Sequence, residues 1–301
     1  MELNIRVSLH SLTSPAALPR IAAGSYDFRG ATWARGPASV GDVASTRGIL
    51  YPNQLPSFSR HAPSPAVGHL VRWFWVSRWD IAPGRISRQE LLAFPALNLV
   101  VEDSCVGISG PTTTRSHRDL TDRGWGVGAL LRPAATPGIC PDPARVRDRY
   151  ELVTEPDLHA RVAAPMALDP PEPEQACRAF EAWLLERVPT VTPDDLAAND
   201  LVSRIEEDAT LRRVEDVAAA MNLSVRTVQR LTQRYVGLTP LTMIRRRRLQ
   251  EAAVVAREDP DVTLAALAAD LGYADQAHLI RDFRDVLGFT PGAYRRSSHG
   301  S

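Results

Sequence analysis

Lysine is absent. All 35 basic residues of this 301-residue chain are arginine, and 35 acids bring the formal net charge to zero. A neutral total excludes a uniformly basic coat for nucleic acid and leaves only a local footprint. Cysteine is scarce. Cys105, Cys140 and Cys177 are widely spaced and form no CxxC pair, which argues against a zinc ribbon. They read as reduced thiols, with redox sensing as the alternative. No run of 18 apolar residues exists, so no membrane span is expected. The N-terminus lacks the compact apolar stretch of a signal peptide, and the expected compartment is the cytoplasm.

What is present suits a globular chain of two or three domains: 44% hydrophobic and 23% charged residues. Residues 1–50, rich in Gly, Ala and Ser, read as a lead-in, partly mobile. Residues 51–165 read as a β-rich domain of short strands. In "VRWFWVSRWDI", Val71, Trp73, Trp75, Trp79 and Ile81 alternate with Arg72, Arg78 and Asp80. That alternation places the tryptophans in a core, with a ligand pocket as the alternative. "LLAFPALNLVVE" and "GWGVGALLRP" are further short apolar runs. Residues 166–206 read as a helical linker. There Phe180, Trp183, Leu184 and Val188 fall at helical spacing, and "TPDD" starts a second helix with Thr192 as its cap and Pro193 at its first position.

From 207 to 297 the pattern is helical and it repeats. "RVEDVAAAMNLSVRTVQRLTQRYVGLTP" (213–240) and "TLAALAADLGYADQAHLIRDFRDVLGFTP" (263–291) align at an offset of 50, then 51 after the turn. Each copy is a short amphipathic helix, a turn and a second helix. Asn222 and Gly272 suit a left-handed turn position, and Ser224 and Asp275 suit an N-cap. That is the helix-turn-helix pattern, twice. Between the copies, Thr239 caps a helix that starts at Pro240 and that Pro260 stops. About 20 residues at ~1.5 Å each span about 30 Å, close to the ~34 Å between successive major-groove faces.

"LAADLGYADQAHLIRDFRDVLGFTPGAYRR" together with the upstream "GLTP...RRLQEAA" resembles the AraC/XylS family of bacterial transcription regulators over about 90 residues. "HLVRWFWV", "GPTTTR" and "VGALLRPAA" resemble the β-rich, cupin-like N-terminal domain of uncharacterised members. Arg213 departs from the Ser or Thr usual before the first leading helix, which predicts an earlier start at Thr210. Met243 stands where an aromatic is common. The fold class implied is α+β: a β-rich, cupin-like domain with flanking helices, then an all-α double helix-turn-helix domain.

The resemblance implies a sequence-specific regulator that binds double-stranded DNA and responds to a small effector through its N-terminal domain. The alternative is an effector-independent DNA-binding module whose N-terminal domain serves dimerisation or a protein partner. A homodimer and RNA polymerase stand as open partners. By the family pattern, Arg226, Gln229 and Arg230 of the first motif face the bases. In the second motif the matching residues are Gln276, Ala277, Ile280 and Arg281. Arginine pairs bidentately with guanine and glutamine with adenine. Arg295 and Arg296 read as phosphate contacts or a basic tail.

No enzyme, cofactor or metal is expected. A metal-dependent cupin needs a close His-x-His and a Glu, and the seven histidines are scattered. An alkyltransferase needs Pro-Cys-His and four cysteine ligands, and Cys140 sits in "GICPDPA". Arg132 in "LLRP" suits an acidic effector or an internal ion pair. The run "RRRR" (245–248) turns through four directions at about 100° per residue. Arg245 and Arg248 fall beside the apolar face and read as structural. Arg246 and Arg247 point away from it, as candidates for DNA phosphate or a polymerase partner.

Overall fold

A computed structural model describes residues 57–299, apart from 92–94, 114–115 and 260. The expected lead-in and Pro260 lie outside them. In the N-terminal half, β1 (Phe58–His61), β2 (Val71–Asp80), β4 (Asn98–Glu102), β5 (Val106–Ser109), β7 (Arg123–Leu131) and β8 (Tyr150–Val153) form an antiparallel sheet ordered β1-β2-β7-β4-β5-β8. β3 (Ser87–Leu91) and β6 (Ser116–Leu120) pair as a separate ribbon. Arg118 of the ribbon forms an ion pair with Glu102 of β4, and its guanidinium lies 4.8 Å from the ring centre of Tyr150 on β8.

One face of the large sheet carries Phe74, Val76, Leu99, Val101, Ile108, Val127 and Ala129. After α1 (Thr136–Ile139), helices α2 (Pro156–Met166) and α3 (Pro173–Arg187) cover that face with Leu158, Val162, Phe180, Trp183 and Leu184.

The tryptophans correct the simple alternation. The β2–β7 register slips between Val71 and Trp73, a bulge that reverses which side chains point inward. Val71, Phe74 and Val76 are therefore buried in the core, while Trp73, Trp75 and Trp79 face the other side of the sheet. There β7 supplies Gly124, Gly126 and Gly128, which leave room for the rings. A Cβ on Gly128 would lie 2.2 Å from the Trp75 ring, and one on Gly124 would lie 2.6 Å from the Trp79 ring. Trp75 Nε1 donates to Asn98 Oδ1 at 3.1 Å. Trp73 is flanked by the guanidiniums of Arg60 and Arg72, 4.5 and 5.1 Å from its ring centre.

The segment expected as a linker divides between two cores: α3 belongs to the sheet, and α4 (Pro193–Glu207) to the helical half. α4 begins as the sequence indicates. Thr192 Oγ1 accepts from Asp195 N, and Asp195 Oδ2 accepts from Thr192 N at 2.7 Å. α5 (Val214–Ala220), α6 (Val225–Tyr235), α7 (Pro240–Glu258), α8 (Leu264–Asp270), α9 (Gln276–Leu287) and α10 (Pro291–His299) follow. α5 starts at Val214, not at Thr210. Asp216 reaches back to the backbone N–H groups of Arg212 and Arg213 at 3.0 and 2.8 Å, so a carboxylate inside the first turn fixes the entering chain although no side chain at Arg213 caps the helix. Thr210 instead bonds Asp208.

α7 serves both helical cores. Met243 and Ile244 pack with α4, α5 and α6, whereas Leu249, Ala252 and Ala256 pack with α8, α9 and α10. At ~1.5 Å per residue its 19 residues span about 28 Å.

The sheet and helical halves touch through α4 and the end of α6. Asn199 Oδ1 accepts from Ala134 N, and its Nδ2 donates to His69 O. Thr136 Oγ1 donates to the carbonyl of Tyr235, the last residue of α6, at 2.9 Å. Gly237 (φ +77) lies so close to the 143–144 backbone that a Cβ there would be 2.6 Å from Ala144 N.

Gly128→Ala should therefore destabilise the sheet half by about 1–3 kcal/mol through overpacking against Trp75. A lowered urea midpoint checks this, and an unchanged midpoint would mean that the Trp75 ring is not held over Gly128.

Candidate nucleic-acid interface

Both turns have the geometry that their sequences require. Asn222 and Gly272 adopt φ of +53 and +70. Ser224 Oγ accepts from Thr227 N at 3.1 Å, and Asp275 Oδ1 from His278 N at 2.7 Å. These caps satisfy backbone donors at the first turns of α6 and α9.

Burial then selects the outward faces. α6 buries Val228, Leu231 and Tyr235. At 100° per residue the opposite face carries Arg226, Gln229, Arg230 and Gln233, all exposed. α9 buries Leu279, Phe283, Val286 and Leu287, and it exposes Gln276, Ala277, Arg281 and Arg284. Ile280 is half-buried beside them. Gln233 and Arg284 share these faces and escaped the motif-based reading. Continuing the i, i+3, i+4 series one more turn finds them.

The two faces differ in charge. α6 carries no acid, whereas α9 carries Asp282 and Asp285. Asp282 is taken up by Arg245, whose Nε and Nη2 donate at 2.9 and 2.8 Å. Arg245 thus joins α7 to α9 by a bidentate pair. Arg248 lies 3.8 Å from the ring centre of Tyr273, in the turn of the second motif. Arg212 Nη2 donates to Asp270 O at the end of α8, tying the lead-in to the first motif onto the second.

Arg246 and Arg247 overturn the expectation that they face outward. Both are buried, at 2% exposure each, and neither is placed to meet phosphate. Arg247 donates to the carbonyls of Ile205, Asp208 and Leu211, at the end of α4 and in the connection to α5, and reaches Glu251 at 3.5 Å. Burial pulls the Arg246 pKa down to about 10, while Asp148 acts the other way. The helical wheel assumes one buried face, but α7 is packed on several sides, so its polar positions are enclosed too. Arg295 likewise donates inward, to Val262 O at 2.9 Å; the side chain of Arg296 lies outside the described residues.

Tyr235 closes the inner end of α6. Its hydroxyl donates to Asp195 Oδ1 at 2.7 Å. Burial first, and then this bond, pushes the phenol up to about 12. Burial also pushes the Asp195 carboxyl upward, but hydrogen bonds from Tyr235 and Thr192 outweigh it and hold the group below the usual carboxylate range.

Among the described residues no three His, Cys, Asp or Glu side chains are grouped to hold a metal, and no helix is long and apolar enough to cross a membrane. Burial raises the Cys140 thiol, and Cys140 Sγ donates to Asp142 O.

Residues 217–297 match a helix-turn-helix domain family, and residues 59–149 match a domain of unknown function (DUF6597). A putative AraC-like transcription regulator of Streptomyces lividans is 32% identical over 123 residues, which cover 41% of this chain and 38% of that protein. The HTH-type transcriptional activator RhaS of Escherichia fergusonii is 31% identical over 108 residues, covering 36% of this chain and 38% of that one. The chain therefore spans well under half the length of these curated relatives. Among solved structures, ToxT of Vibrio cholerae aligns with 76% of this chain and 99% of its own, at 12% identity and a TM-score of 0.41.

Removing the Arg247 guanidinium leaves carbonyls at the α4–α5 joint without their donor. Arg247→Met should cost about 2–4 kcal/mol of stability in urea unfolding. A variant with wild-type stability and a reduced salt dependence of DNA binding would restore the phosphate role.

Proposed function

We propose that the whole protein is a sequence-specific transcriptional regulator, a reading supported by the likeness of its C-terminal third to a helix-turn-helix domain family and to AraC-like regulators. It reads one duplex with two unlike helices and answers a small effector through its N-terminal domain. The observation that carries this is the pair of capped helices with exposed polar faces, joined by one 19-residue helix buried in both cores.

Such a frame presents α6 and α9 to successive major-groove faces, with the N-terminal residues of each helix nearest the base edges. On α6, Arg226 and Arg230 suit guanine, and Gln229 suits adenine. On α9, Gln276 suits adenine and Arg281 guanine, while Ala277 and the half-buried Ile280 suit a thymine methyl. The first half-site is read mainly by hydrogen bonds and the second more by apolar contact, so the operator is asymmetric for each protomer. Arg246 and Arg247 are not part of this set. Effector response is supported by the contact of the sheet half with the end of α6, through Thr136 and Tyr235. A change in the N-terminal domain has a short route to the first reading helix.

Arg230→Ala should leave stability unchanged, because the side chain is exposed, and cost about 1–3 kcal/mol of affinity at one base position. Binding to an operator series with each base varied checks this; a uniform loss on every sequence assigns Arg230 to phosphate. Affinity should also fall steeply as salt rises, because bound arginines release counterions from the duplex. A flat salt profile would falsify the DNA-binding reading.

A further inference from the structure

Both helix-turn-helix motifs close their turns with the same backbone bonds. In the first, Leu223 N and Asn222 N donate to the carbonyls of Ala218 and Ala219. In the second, Tyr273 N and Gly272 N donate to those of Ala268 and Ala269. The left-handed residue nevertheless differs, Asn222 in one copy and Gly272 in the other, although left-handed backbone accepts either. What sets Gly272 apart is a neighbour. A Cβ there would lie 2.8 Å from Arg212 Cδ and 2.9 Å from its Nη1, so the arginine arm crosses the glycine backbone. Arg212 Nη2 then donates at 3.0 Å to the carbonyl of Asp270. The base of Arg212 is fixed from both sides. Leu211 is buried in the first core and its carbonyl accepts from Arg247 Nη2, while Arg212 N donates to Asp216 Oδ2. Arg212 is thus a strut, rooted in the first motif and seated on the turn of the second.

We infer that Arg212 is a positioning residue that fixes the placement of α9 relative to α6, and so restricts the protein to one spacing between two half-sites. The inference rests on the DNA-reading function proposed above. α7 passes from one core to the other between Ile244 and Leu249, and a helix of its length can bend. Arg245 and Arg248 hold the second motif to α7 itself and leave that bending unopposed. A tie away from the helix axis opposes it, and Arg212 supplies one. One base pair shifts the groove edges by about 3.4 Å and turns them by about 34°. A frame held at two places does not follow that step without losing a contact. Arg212 is exposed, so the strut acts on geometry more than on stability.

The test uses the full chain and a duplex that it selects from a random-sequence pool, with versions carrying one base pair more or fewer between the half-sites. The wild-type chain should lose about tenfold in affinity at either altered spacing, the cost of a forfeited base contact. In Arg212→Ala that loss should shrink to about threefold or less, with the urea midpoint unchanged. Gly272→Asn puts the first motif's residue in the path of the strut and keeps the Arg212 charge, and it should relax spacing in the same way. Without DNA, amide exchange across 270–275 should quicken in Arg212→Ala while 220–224 keeps its wild-type rate. A wild-type chain indifferent to spacing, or a full spacing penalty in both variants, overturns the proposal. A uniform loss at every spacing in Arg212→Ala, absent from Gly272→Asn, also overturns it and assigns Arg212 to phosphate. Unchanged exchange across 270–275 refutes the strut whatever DNA does. Faster exchange in a chain that selects no duplex refutes the regulator reading instead, and with it the spacing role.

Discussion

The helical half depends on a guanidinium that never reaches solvent. Arg247 sits in the middle of α7 and donates to backbone carbonyls where α4 ends and the first motif begins. A helix end leaves carbonyls without intrahelical donors, and burying them is costly unless something else donates. One planar cation with five N–H groups meets several of them at once. Arg247 thereby ties α7 to the end of α4 and to the connection that leads into α5. Arg245 and Arg248 extend the same logic to the second motif, through Asp282 and the Tyr273 ring. The spacing of α6 and α9 thus comes from buried polar bonds as well as from apolar packing.

That arrangement separates the arginines of α7 from the exposed polar faces. Arg245, Arg247 and Arg248 tie α7 to its neighbours, and the faces of α6 and α9 stay open. A buried cation with several directional bonds tolerates little movement, which suits a frame. An exposed arginine on a capped helix keeps its donors free, which suits base contact. α9 shows the contrast at adjacent residues: Asp282 anchors it to α7, and Arg281 points outward.

The contact between the halves is polar and specific. Asn199 gives its amide to two backbone groups of the sheet half, and the Tyr235 carbonyl accepts from Thr136 of that half. Each bond joins a residue of α4 or α6 to a neighbour whose own position is set by packing. The sheet half is therefore registered against the inner end of α6, while the outer faces of α6 and α9 remain open.

The sequence alone determined the caps of α4, α6, α7 and α9, the two motifs, and which side chains face outward on α6. These follow from local chemistry: Thr192, Ser224, Thr239 and Asp275 accept from backbone donors within three residues, and a 3.6-residue period places Arg226, Gln229 and Arg230 opposite Val228 and Leu231. Other features were decided by partners distant in the chain. A bulge set by pairing with β7 turned Trp73, Trp75 and Trp79 away from the core that strict alternation assigned them. A carboxylate at Asp216 moved the start of α5. Carbonyls some forty residues upstream drew Arg247 inward, from a position that the helical wheel left in solvent. Periodicity reports the direction in which a side chain leaves its own backbone, and only the tertiary structure decides whether water or another part of the chain is waiting there.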